Sequence, residues 1–158
     1  MIDAEVLVET NYWRKIIKNP KKLIAISLKK FPKKYRFIKK KAKISVLLTN
    51  NKKIKLLNKK FRKKNKPTDI LSFPSFSKKN IKKNIREKNF YLGDIAISHE
   101  EFLKKNSEDY KNGFIKLFIH GFLHLLNFDH KLNKDYKVMQ SVEKKIFQMV
   151  KGKVELQK

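Results

Sequence analysis

The chain contains no cysteine, and that excludes both a disulfide framework and thiolate ligation. Any transition metal it holds must be bound by imidazole or carboxylate groups. It also lacks a long apolar run: no uninterrupted stretch approaches the roughly 20 residues that a membrane span needs. Its amino terminus, Met1-Ile2-Asp3-Ala4-Glu5, has no basic segment leading into an apolar one, so no secretory leader is expected there. The expectation is a soluble, cytoplasmic protein with no membrane partner. Arginine is scarce as well, at only four of the 41 basic residues (Arg14, Arg36, Arg62, Arg86).

What is present in excess is lysine. The formal net charge of +27 creates a field that attracts polyanions, and RNA, DNA and anionic lipid all qualify as partners. Recognition of phosphates and bases usually favours the planar, bidentate guanidinium, which is rare here. Charge alone therefore leaves two readings open, a nucleic-acid surface and a generic solvated lysine surface. With 158 residues, 41% of them hydrophobic, the chain has the size of one domain spanning 1–158 and can bury a core.

Along the chain, Ile2 to Val8 alternates as a strand, and Tyr12 to Leu28 is mostly helical with a break near Pro20. Lys43 to Thr49 is aliphatic and β-branched, the pattern of a buried strand. An amphipathic helix with Ile54, Leu57 and Phe61 follows, then a short strand, Asp69 to Phe73, ended by Pro74. Residues 77–89 are rich in Lys and Asn without an apolar period and read as a mobile loop; Leu92 to Ile97 returns as a strand. Ser98-His99-Glu100-Glu101 has the form of a capping box. A helix over about Ser107 to Leu126 is apolar nearly all round, so it is expected at the centre, and a last helix runs from about Asp135 to Val150 before a basic tail. Strands mixed with helices, without a regular βαβ rhythm, predict an α+β fold: a small mixed sheet of about four strands covered by helices.

Three of the four histidines share the central helix and the turn after it, as His120, His124 and His130, with the spacing H-x3-H-x5-H. Residues four apart lie on one helix face, so His120 and His124 can aim two imidazoles at one point. Asn127 tolerates the left-handed conformation that closes many helices, and a turn there brings His130 back toward the pair. Three neutral nitrogens suit one zinc ion and leave its fourth tetrahedral position open, the arrangement of a hydrolytic centre. Asp129 is a candidate to orient one of the imidazoles. His99, alone at a helix start, is expected at the surface or in the cap.

Zinc proteases of the metzincin type share this spacing but carry Glu after the first histidine, as the base for the attacking water. Position 121 is Gly, which cannot take a proton. Gly121 allows close approach either of another element of the fold or of substrate.

The chain resembles the YbeY family of bacterial endoribonucleases and rRNA maturation factors in three blocks. These are Leu57-Asn58-Lys59-Lys60-Phe61-Arg62 leading to Pro67-Thr68-Asp69-Ile70-Leu71-Ser72-Phe73-Pro74, then Leu92-Gly93-Asp94-Ile95-Ala96-Ile97-Ser98, and the histidine block. They cover about half the chain and follow the family's order. Two positions depart from the usual pattern, Asn127 for Gly and Phe128 for Tyr. The resemblance implies a zincin-like fold and a metal, one Zn2+, on His120, His124 and His130 from the central helix and following turn. It also implies a functional role for Arg62, whose guanidinium can grip a scissile phosphate. Taken alone, Arg62 also reads as a cation favoured at a helix end.

The resulting expectation is a zinc-dependent endoribonuclease acting on single-stranded rRNA, in maturation of the 3′ end of 16S small-subunit rRNA, ribosome biogenesis and ribosome quality control. Its partners would be RNA, ribosomal particles and ribosome-associated proteins. The rivals are a zinc metallopeptidase and a non-catalytic RNA-binding assembly factor with a structural metal. Asp69 and Asp94, at strand ends, are expected to hold loop geometry by accepting backbone amides rather than to transfer protons.

Overall fold

A computed structural model describes residues 1–154. Four strands, β1 (Ile2–Val8), β2 (Lys41–Thr49), β3 (Ile70–Pro74) and β4 (Asn89–Ser98), form one sheet in the order β1-β2-β4-β3. β1, β2 and β4 are parallel, whereas β3 runs antiparallel to β4 at the sheet edge. The expected mixed sheet covered by helices is what is found.

Alternation decides which helix covers which face. Val6, Ile44, Val46, Leu48, Leu92, Ile95 and Ile97 are buried in the main core beneath α2 (Pro20–Lys30) and α7 (Tyr110–Leu125). On the opposite face, Leu71 and Ala96 meet Ile54 of α4 (Asn51–Arg62), with Leu47, Leu57 and Phe73 packed around them. Both helix starts are capped by asparagine: Asn19 accepts from the Lys22 amide ahead of α2, where Pro20 occupies the first turn, and Asn50 accepts from the Lys53 amide ahead of α4. Short helices α1 (Tyr12–Ile16) and α3 (Lys33–Arg36) flank α2, so the break near Pro20 is real.

α7 is the central helix, because Phe114, Phe118 and Phe122 turn into the core while Ile115, Ile119 and Leu123 fill the remaining sides. Each fully buried side chain of this size contributes about 1.5–3 kcal/mol by leaving water. The long C-terminal helix α8 (Asn133–Val154) seals the outer side of α7 with Met139, Ile146 and Val150. Gly121 lets α7 lie close on the sheet: a Cβ there would stand 2.6 Å from Ile70 Cδ1 and 3.1 Å from Ser72 Oγ. Of the two uses open to Gly121, the fold shows packing against β3.

Three expectations need correction. Residues 77–89 are not without an apolar anchor, since α5 (Ile81–Asn84) buries Ile81 while Phe76 and Ile85 pack on the main core. Ser98 does precede α6 (His99–Lys105), but its hydroxyl makes no capping bond. It lies 2.6 Å from Asn51 Oδ1 and 3.0 Å from Glu100 Oε2; Glu100 accepts the Asn51 amide and Glu101 accepts from the Asn51 side chain. The acids of α6 thus satisfy the start of α4, a long-range use that local spacing does not reveal. The basic tail placed after Val150 continues α8 to Val154, and residues 155–158 lie outside the described residues.

Candidate metal centre

The end of α7 builds the site. Leu126 ends the helix, Asn127 adopts φ 61°, the Phe128 amide donates to Leu123 O at 3.0 Å, and the Asn127 amide donates to His124 O at 2.9 Å. This pair of bonds is the Schellman closure of a helix, with Asn in the left-handed position where glycine is common. Asn127 also does what glycine cannot: its side-chain amide donates to Phe76 O at 2.8 Å, tying the turn to the segment after β3.

The turn carries His130 back over α7. One ring nitrogen each of His120, His124 and His130 lies within 4.8 Å of the others, and the ring centroids are 4.7, 5.0 and 5.5 Å apart. His120 and His124 are partly buried and His130 is exposed, so the cluster opens to solvent on one side.

The other ring nitrogens fix the tautomers. His124 Nδ1 must carry the proton it donates to the Phe128 carbonyl at 2.9 Å, and His120 Nδ1 lies 2.6 Å from the Glu143 carboxylate, which accepts from it. In the neutral form that a metal ligand must take, both rings present Nε2 lone pairs to each other, 3.0 Å apart. Two acceptors at that distance repel, and a cation between them removes the conflict. Burial, followed by the neighbouring His120 and His130, holds His124 down at about pKa 4, so its ring is neutral and able to ligate at pH 7. The donor set therefore fits a divalent metal that prefers nitrogen.

Asp129 does not orient an imidazole. Its Oδ1 accepts the His130 backbone amide at 2.8 Å and its other oxygen lies 3.6 Å from Lys131 Nζ, so it shapes the turn instead. Glu143 of α8 occupies the position proposed for it. Sequence spacing held a signal for Glu143: it falls four residues after Met139 and three before Ile146, an acid on the helix stripe that faces the core.

A cleft of about 430 Å³ leads to His120 and Glu143 past Asp69, Ile70, Lys105 and Leu117. Arg62, the last residue of α4, is exposed and reaches Ser72 O with Nη2 at 3.4 Å. Asp69 O and Leu92 O accept amides across the β3–β4 pair, which leaves the Ser72 carbonyl on the open edge of the sheet. The Ser72 hydroxyl faces Gly121, the neighbour of His120. Arg62 and His120 thus approach β3 from two sides, and among the described residues Arg62 makes no hydrogen bond to a histidine.

The remaining candidates lie apart from the triad. His99 is the first residue of α6, in the capping region as expected, and it is packed there: it stacks on Tyr12 with centroids 4.8 Å apart and meets Trp13 edge-on. Asp69 accepts the Ile70 amide at 3.0 Å, as expected of a loop-holding carboxylate, and Lys105 Nζ at 2.8 Å. Asp94 accepts from the Tyr91 hydroxyl at 2.7 Å rather than from a backbone amide.

Residues 7–151 match the family model described as endoribonuclease YbeY. The endoribonuclease YbeY of Pelagibacter ubique is 49% identical, covering 98% of this chain and 99% of the relative. That of Ehrlichia canis is 33% identical, covering 90% and 89% of the two chains, and that of Persephonella marina 40% identical, covering 69% and 71%. A protein from Thermotoga maritima solved in solution superposes with a TM-score of 0.58 at 25% identity, over 97% of this chain and 92% of that one. These likenesses extend well beyond the histidine block and include the strands and helices that position it.

Proposed function

The chain belongs to the endoribonuclease YbeY family, and from that premise we propose that it is a zinc-dependent endoribonuclease that cuts single-stranded rRNA. We assign His120, His124 and His130 as the ligands of one Zn2+. The observation that carries this is the pair of facing Nε2 atoms, each on a ring oriented by a hydrogen bond at its own Nδ1. Zinc bound there supplies Lewis acidity toward a phosphodiester and lowers the pKa of water.

The protein's part is orientation and charge. The Phe128 carbonyl and Glu143 hold two imidazoles in the ligating tautomer, so little reorganisation accompanies metal capture. Arg62 serves as the phosphate clamp. One long bond to Ser72 O leaves most of its five donors free for a non-bridging oxygen, where positive charge stabilises the transition state. The lysine surface adds attraction that is independent of sequence and weakens with salt.

The reading extends to maturation of the 3′ end of 16S rRNA and to ribosome quality control, with ribosomal particles and ribosome-associated proteins as partners in the cytoplasm. No described helix is long and apolar enough to cross a membrane. Residues 1–158 act as a single catalytic domain in this account. The peptidase alternative lacks a carboxylate at position 121, where a glycine is buried against β3.

The test offers metal-replete protein a single-stranded RNA and an unfolded polypeptide. RNA cleavage by the wild type, absent in His124→Ala, supports the proposal. Intact RNA, or cleavage of the polypeptide instead, contradicts it.

A further inference from the structure

Glu143 stands in a groove of about 910 Å³ between α7 and α8, lined also by Lys116, Lys137, Lys144 and Lys151. In a chain with 41 basic residues, a carboxylate among four lysines is expected to form an ion pair with one of them. It does not: among the described residues the partner of the Glu143 carboxylate is His120, whose Nδ1 lies at 2.6 Å. That distance is shorter than an ordinary N–H···O bond and marks a charge-assisted one.

The placement is set by the core rather than by surface chance. Met139, Ile146 and Val150 are buried on α8, with Val142 and Phe147 packed against the same core, so the backbone that carries Glu143 is held on both sides. The side chains of Glu143 and His120 are 29% and 31% exposed, which leaves the pair only partly screened by water. His124, in contrast, is backed by a neutral backbone carbonyl from its own turn.

We infer that Glu143 is a positioning residue of the metal centre. Its carboxylate holds His120 with the proton on Nδ1 and the Nε2 lone pair turned toward His124, and its negative charge raises the donor strength of that ring. Helix α8 thereby becomes part of the site without supplying a ligand. The inference rests on the triad being a metal centre, as proposed above.

The test uses the full chain stripped of metal, with Zn2+ as the probe and a chromogenic chelator as competitor. Glu143→Gln keeps an acceptor but loses the charge, and is expected to weaken zinc binding about tenfold. Glu143→Ala loses both and should weaken it toward 100-fold. Glu143→Asp restores part of the loss, while Glu108→Gln, which removes an exposed acid ahead of α7, leaves affinity unchanged. The visible spectrum of Co2+-loaded Glu143→Ala should differ from that of the wild type, and the far-ultraviolet circular dichroism of the metal-free chain should not. Zinc affinities and Co2+ spectra equal to wild type in Glu143→Gln and Glu143→Ala overturn this inference alone. A wild type that captures no zinc overturns it together with the metal reading.

Discussion

His124 donates its Nδ1 proton to the backbone carbonyl of Phe128 at 2.9 Å, so the turn that ends the central helix also selects the tautomer of the ligand before it. Helix termination and site preparation are one event. The left-handed Asn127 makes both possible, because its φ of 61° directs the chain back over the last turn.

Asn127→Val should therefore damage the site through the backbone. A β-branched residue in the left-handed region costs on the order of 1–3 kcal/mol, and the bond to Phe76 O is lost as well. Urea unfolding should show that loss, and zinc affinity should fall with it. Asn127→Gly, which suits the dihedral, should retain zinc affinity close to wild type. Equal behaviour of the two variants would contradict this role for the turn.

Gly121→Ala tests the packing of the central helix on β3. The new methyl would meet Ile70 Cδ1 at 2.6 Å, the Ser72 hydroxyl at 3.1 Å and Ile95 Cγ2 at 3.3 Å; the end of the Ile70 side chain can swing aside and alanine gains about 1 kcal/mol over glycine inside a helix, so the net loss should be no more than about 1 kcal/mol. The expected result is a lower urea midpoint with an unchanged m-value. A substitution as stable as wild type would show that β3 yields freely.

Arg62 separates the two roles that sequence left open. As a phosphate clamp, its replacement by Ala should lower kcat/KM on single-stranded RNA by about 10²–10³ with zinc content unchanged. Arg62→Lys should recover only part of the loss, because an ammonium lacks the guanidinium fork. Full activity in Arg62→Ala would leave it as a cation at the end of α4.

A pH prediction follows from His124. Burial, then the charges of His120 and His130, bring its pKa from an ordinary 6.5 to about 4. Between those values the unfolded chain binds a proton on this ring that the folded chain does not. Stability of the metal-free protein should fall as pH drops from about 6.5 to 4, and this contribution is constant above that window. Urea midpoints measured with a chelator at several pH values check the sign, and His124→Asn should show a shallower decline. Identical declines in the two proteins would contradict it.

Much of this was legible in the sequence, for reasons particular to each element. Alternation marked β1, β-branched and aliphatic content marked β2, Pro74 marked the end of β3, and the apolar circumference of α7 marked the central helix. The H-x3-H-x5-H spacing and Asn127 together anticipated the three-histidine cluster, because helix periodicity and left-handed closure are local properties. Long-range partners were not legible. Glu143 lies 23 residues beyond His120 on another helix, so local spacing pointed to Asp129 in its place. The capping-box spacing points Glu101 to its own helix start, yet it and Glu100 satisfy Asn51 at the start of α4. Ile81 was hidden by its lysine and asparagine neighbours although its side chain is buried.

The central claim is that a metal held by the three histidines enables RNA cleavage, and a zinc titration tests it most directly. Metal-stripped protein is mixed with a labelled single-stranded RNA, and the cleavage rate is followed as Zn2+ is added. The account predicts a rate that rises to a plateau at one equivalent of zinc and is absent throughout in His124→Ala, which still binds the RNA through its lysine surface. Cleavage that is independent of added zinc, or that persists at the wild-type rate in His124→Ala, would contradict it.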